Sequence, residues 1–115
     1  MMIDFACKKI ELREIIKCSF NLNKTEYNIL MKLLKASDKF SIVEISKFTG
    51  FERSTVQKSI KNLVKQKLLV KTQVNMSRGG YLFKYKAKDK DVIKHTIVSA
   101  VHSWSSRAEK EVLDW

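Results

Sequence analysis

Arg53, Ser54, Thr55, Gln57, Lys58 and Lys61 fill the gaps between Val56, Ile60, Leu63 and Val64, apolar residues that recur at helical spacing. Two hydroxyls and an amide near the N-terminal end of such a helix, flanked by cations, can reach the edges of bases while the charges meet phosphates. The other reading of the same polar face is a solvated helix surface. The surrounding charge separates the two. No acidic residue occurs from Arg53 to Lys88, a stretch that holds ten of the 23 basic residues and leaves 13 basic against 12 acidic elsewhere. The net charge of +11 is therefore concentrated in about a third of the chain, and a local cationic surface implies an anionic polymer or surface as partner.

The elements that would position this face follow from caps and periodicity. A core helix is expected over about Lys24 to Ala36, where Asn23 and Glu26 can form a reciprocal cap and Tyr27, Leu30, Met31 and Leu34 share a stripe. Phe40 and Ser41 read as a brief strand. A short helix follows, with Ser41 and Glu44 as its S-x-x-E box and with Ile42, Ile45 and Phe48 facing inward. Gly50 ends it, because glycine enters the left-handed region without the steric penalty of a side chain, and Phe51 can plug the turn. The next helix begins near Arg53.

Beyond it, Val70, Thr72 and Val74 alternate with Lys71 and Gln73, and Tyr81, Phe83 and Tyr85 alternate with Lys84 and Lys86. The alternation predicts a hairpin with one packed face and one cationic face. Gly79 and Gly80 permit positive φ at the turn, and Arg78 stands near the tip without a neighbouring acid.

The stretch SIVEISKFTGFERSTVQKSIKNLVKQKLLVKTQVNMSRGGYLFKYKA, Ser41 to Ala87, resembles the winged helix-turn-helix of MarR-like and TrmB-like transcription regulators of bacteria and archaea. The resemblance rests on Ile45-Ser46, Thr49-Gly50-Phe51, Ser54-Thr55-Val56, Leu63 and Leu68-Leu69-Val70. Ser46 stands where such families usually place alanine, and Glu52 where they usually place a serine or threonine cap. The fold class implied is mainly α with a small β-hairpin wing. The function implied is sequence-specific binding of double-stranded DNA, with helix 53–66 in the major groove and wing 70–87 near the minor groove. Arg53, Ser54, Thr55, Gln57, Lys58, Lys61, Lys71, Arg78 and Lys84 are the expected DNA-binding residues. Arg78 is the one expected in the minor groove, where narrow A·T-rich segments concentrate negative potential. The alternative is a winged-helix interaction module of a transcription or nucleic-acid assembly, making only nonspecific DNA contact.

Residues 1–21 and 89–115 read as flanking helices around a DNA-binding domain at 22–88. Ile3 to about Phe20 carries Phe5, Leu12, Ile16 and Phe20 on one side and Ile3, Ala6 and Ile10 on another, more apolar surface than a helix covered on one face requires. Asp89 to Trp115 reads as one helix of roughly 40 Å. Ile93, Ile97, Ala100, Trp104, Ala108 and Val112 form its stripe, widened by Val98 and Val101. Both helices therefore point to dimerisation, through Phe5, Leu12, Ile16, Ile93, Ile97, Ala100, Trp104 and Val112. Such a homodimer would set two recognition helices about one DNA turn, roughly 34 Å, apart. The alternative is that both helices fold back on their own domain.

Other chemistries find little purchase. Cys7 and Cys18 lie far from the close spacings of zinc or redox motifs and read as free, half-buried thiols. His95 and His102 are seven apart with no third ligand nearby, so neither a metal nor a cofactor is expected. No nucleophile, acid and base fall into a recognised motif, so an enzyme is not expected. No apolar run approaches the roughly 18 to 20 residues that span a bilayer, no signal peptide pattern opens the chain, and the cytoplasm is the expected location. The operator, the sign of regulation and any effector are not written in these residues.

Overall fold

The computed structural model describes all residues, Met1–Trp115. In chain order these form β1 (Met2–Phe5), β2 (Lys8–Glu11), α1 (Leu12–Phe20), α2 (Lys24–Ala36), α3 (Ile42–Thr49), α4 (Arg53–Lys65), β3 (Leu69–Asn75), β4 (Tyr81–Ala87) and α5 (Lys90–Leu113). Two compact units result, one from Asn23–Lys90 and one from Met1–Leu22 together with Asp91–Trp115. The chain is mainly α, with a β-hairpin wing in a winged helix-turn-helix arrangement.

In the unit Asn23–Lys90, the apolar stripes of three helices meet. Ile29, Leu30 and Leu33 of α2, Ile45 of α3, and Val56, Ile60 and Leu63 of α4 are almost fully buried, with Leu68, Leu69, Tyr85 and Ala87 completing the core. Both expected capping boxes form. The Asn23 side chain accepts from the Glu26 N–H at 2.8 Å and Glu26 accepts from the Asn23 N–H at 2.8 Å. Ser41 and Glu44 repeat the exchange at 2.9 and 3.2 Å. Phe40 pairs with Tyr85 of β4 as an isolated antiparallel bridge, not as a strand of its own. Phe48 does not face inward as its spacing predicts. It is 39% exposed and meets the ring of Phe40 edge-on, at 5.0 Å between centroids.

The wing also departs from the expected pattern. Its register pairs Lys71 with Tyr85, Thr72 with Lys84, Gln73 with Phe83 and Val74 with Leu82. Opposed residues share a face, so the alternations of the two strands are out of phase and each face mixes cations with apolar groups. Lys71 lies over the ring of Phe83, 4.0 Å from its centroid, and Val70 is 47% exposed. A single packed face opposite a single cationic face does not form.

In the other unit the expected N-terminal helix over residues 1–21 is replaced by a hairpin followed by a shorter helix. Ile3 pairs with Ile10, Asp4 with Lys9 and Phe5 with Lys8. Ile3, Phe5 and Ile10 therefore share one face, while Asp4 and Lys9 share the other, an arrangement that period-2 pairing satisfies and a helix would scatter. Phe5 is consequently a strand residue. Leu12 and Ile16 lie on α1, which ends at Asn21 in the left-handed region, φ 53°. Cys7 and Cys18 are both exposed free thiols rather than half-buried ones, Cys7 because it stands at the hairpin turn. On α5, Ile93 is buried and Ile97 and Ala100 are half-buried, whereas Trp104 and Val112 are 62% and 67% exposed. His95 and His102 are exposed on the same helix.

Candidate nucleic-acid interface

The turn between α3 and α4 is the first element that orients the polar face. Gly50 caps α3 at φ 80°, and its N–H donates to the Ser46 carbonyl at 3.0 Å. The Ser46 hydroxyl in turn donates to the Phe51 carbonyl at 2.6 Å. The Thr49 hydroxyl donates to Ile45 O at 2.6 Å and accepts from the Phe51 N–H at 3.3 Å. Two hydroxyls thus satisfy turn groups that a shorter apolar side chain would leave without protein partners.

Glu52 begins α4 without a side-chain capping bond, as expected of a glutamate at that position. Past it, Val56, Ser59, Ile60 and Leu63 turn inward, which sends Ser54, Gln57, Lys58, Lys61 and Lys65 outward along one stripe at spacings of three and four. All five are exposed, and Arg53 and Thr55 flank them, also exposed. Lys65 extends the stripe and was absent from the expected set, although its spacing of four from Lys61 was visible in the sequence. None of the cations at 53, 58, 61 and 65 has an acidic partner within ion-pair distance.

The wing residues divide. Gln57, Lys61 and Lys71 line one cleft between α4 and the hairpin. Lys84 belongs to the opposite face of the strand ladder from Lys71, and its ammonium lies 3.6 Å from Glu44, so part of its charge is neutralised within the protein. Glu44 is held below the usual carboxylate range, chiefly by the Ser41 N–H; burial opposes this, and the Ser41 hydroxyl and Lys84 add smaller effects in the lowering direction. Arg78 is exposed in the wing turn, which Gly79 and Gly80 close at φ 87° and 79°. The Met76 N–H donates to Gly80 O at 3.0 Å across that turn.

Residues 11–108, nearly the whole chain, match the family described as the DnaD N-terminal domain. The chain belongs to the DnaD N-terminal domain family. Its structure matches that of a possible transcriptional regulator from Methanosarcina mazei Go1 with a TM-score of 0.92 and 36% identity, covering 100% of this chain and 97% of that one. The uncharacterized protein MJ1503 of Methanocaldococcus jannaschii is 25% identical over 112 residues, 97% of this chain and 84% of that protein. The ST1889 protein from the thermoacidophilic archaeon Sulfolobus tokodaii shares the fold, with a TM-score of 0.69 at 17% identity over 84% of this chain and 93% of that one.

Within this DnaD N-terminal domain, the polar stripe of α4 is carried by the second helix of the helix-turn-helix. The wing adds one cationic residue, Lys71, beside it. No helix is long and apolar enough to cross a membrane.

Proposed function

We propose that the chain is a sequence-specific, double-stranded DNA-binding transcriptional regulator. The observation that carries this reading is the exposed stripe Ser54, Gln57, Lys58, Lys61 and Lys65, free of acidic partners, on the helix that follows a hydroxyl-pinned turn. Gln57 with Ser54 or Thr55 reads bases in the major groove, and Arg53, Lys58, Lys61 and Lys65 neutralise phosphates. Arg78 at the wing tip serves the minor groove. The Methanosarcina mazei protein's description as a possible transcriptional regulator supports this assignment, and the Ser41–Ala87 motif supports a MarR-like or TrmB-like mode of docking. The protein acts by binding rather than by catalysis, in the cytoplasm where the duplex is accessible.

The regulator works as a homodimer joined through its terminal segments. Exposed apolar side chains support this: Ile3 and Phe5 on the hairpin, Val98, Val101, Trp104 and Val112 on α5. A lone two-stranded hairpin with an uncovered apolar face is marginal in water, so a second copy that covers it gains stability.

A second reading is favoured by one specific feature. Phe40 and Phe48 border a shallow apolar hollow of about 360 Å3 framed by Lys32 and Lys35, on the α2–α3 side of the unit. A nucleic-acid assembly module would use that hollow to hold a partner protein, and its DNA contacts would be nonspecific. Selection of bound genomic fragments at physiological salt separates the two. A regulator enriches an inverted repeat, whereas a module enriches no sequence and copurifies with a larger complex.

A further inference from the structure

The cleft between α4 and the wing has a composition that a duplex does not explain. Its volume is about 520 Å3, within the range of small-molecule sites, and its walls come from Ile42, Ile60, Val64, Leu82 and Phe83. A duplex offers phosphates, sugars and hydrogen-bonding base edges, with the thymine methyl as the main apolar feature of those edges, so apolar walls of this extent exceed what base reading uses. The residues with polar side chains at the cleft are Ser41, Gln57, Lys61, Lys71 and Tyr85, and no carboxylate lines it. Glu44, the nearest acid in sequence to its α3 wall, is engaged by Ser41 and Lys84. The aromatic wall is already occupied. The Phe83 ring carries the Lys71 ammonium at 4.0 Å and meets Tyr81 edge-on at 5.5 Å, which leaves branched aliphatic side chains as the main free surface.

We propose that this cleft binds an aliphatic monocarboxylate, its chain lying on Ile42, Val43 and Val64 and its carboxylate paired with Lys61 and Lys71. Two ammonium groups beside a greasy slot complement an anion with an apolar tail, and they disfavour a cation with the same tail. The consequence for DNA rests on the proposed function above. Lys61 and Lys71 cannot serve a phosphate and a carboxylate at once, so the bound acid releases the duplex.

Titration with decanoate, followed by methyl NMR on the full-length protein, tests the site. Saturable one-to-one binding is expected, with shifts at Ile42, Val43 and Val64. Affinity should rise roughly fourfold per methylene from hexanoate to decanoate. Decyltrimethylammonium, whose alkyl chain is one carbon longer and whose charge is opposite, should bind at least about tenfold more weakly. Val64→Trp, which fills the slot, should abolish saturation. If that variant does not fold, Lys71→Gln at an exposed strand position carries the test, weakening decanoate about tenfold while decyltrimethylammonium, relieved of one repelling charge, binds no more weakly than before.

Equal binding of the two amphiphiles, shifts confined to Val101, Val112 and the N-terminal hairpin, or no saturation would overturn the proposal. In the DNA arm, the apparent affinity for duplex should fall by the factor one plus the ratio of decanoate to its own Kd. Duplex affinity unchanged by saturating decanoate overturns the competition. A protein that binds duplex and ignores decanoate overturns the cleft site alone. One that binds decanoate in the cleft and no duplex supports the site and removes the DNA reading.

Discussion

The Ser46 hydroxyl donates to the Phe51 carbonyl across the turn between α3 and α4, at 2.6 Å. This bond ties the last turn of one helix to the segment that launches the next, and so helps to set the angle at which α4 presents its polar stripe. Ser46→Ala should cost about 1 kcal/mol, the net worth of one such bond, read as a lower midpoint in urea with an unchanged slope. An unaltered midpoint would mean that water replaces the hydroxyl without loss.

On DNA, substitutions along α4 should sort by chemistry. Gln57→Ala should lower discrimination between a selected site and a scrambled one by about 1 to 3 kcal/mol. Lys61→Ala should instead weaken both and reduce the salt slope by about one unit. Competition binding at several salt concentrations measures both quantities. A uniform loss from Gln57→Ala would exclude it from base reading.

Glu44 supplies a pH dependence whose sign is fixed by its environment. Its folded pKa lies below the ordinary 4.5, chiefly because the Ser41 N–H bonds to the ionised carboxylate. The stabilisation from the charged form is therefore complete above pH 4.5 and is lost as pH falls through the lower folded value. Glu44→Gln keeps an acceptor for the capping box but cannot titrate. The wild type should be the more stable protein near pH 6, and the gap should narrow below pH 4.5, as measured by urea unfolding across that range.

The terminal segments should decide oligomeric state. Trp104→Ser combined with Val112→Ser removes two large exposed apolar groups from α5 and should shift a homodimer to monomer in light scattering. Persistence of the dimer would place the interface elsewhere, and a monomeric wild type would remove the dimer altogether.

Lys67 adopts φ 62° just after α4, where the N–H of Leu68 donates to Leu63 O at 3.0 Å and that of Lys67 to Val64 O at 2.9 Å. This is a Schellman-type helix end held by a residue with a Cβ. Lys67→Gly should relieve the left-handed strain and raise stability by about 0.5 to 1 kcal/mol, visible as a higher Tm. A lower Tm would show that the entropy of the unfolded glycine chain outweighs the strain.

Local rules carried much of this fold. The caps at Asn23/Glu26 and Ser41/Glu44, the glycine stop at Gly50 and the positive-φ turn at Gly79 and Gly80 depend on residues three or four apart, or on one backbone conformation. Sequence spacing therefore described them directly. The first ten residues were ambiguous for the opposite reason. Ile3 with Ile10 suits one side of a helix and Phe5 another, while Ile3 with Phe5 suits one face of a strand, and the choice depends on pairing Ile3 with Ile10 across a turn. Phe48 was misplaced because its partner, Phe40, comes from another element and holds it half outside the core.

By itself, then, the chain determined its order of helices, its charge asymmetry and the polar stripe of α4, since each is set by neighbours along the backbone. Only the tertiary structure decided the register of the wing. That register placed Lys71 with Tyr85 beside the cleft and left Lys84 to Glu44. A shift of one residue between strands exchanges every side chain from one face to the other, and no local rule in either strand selects which alternative the core accepts.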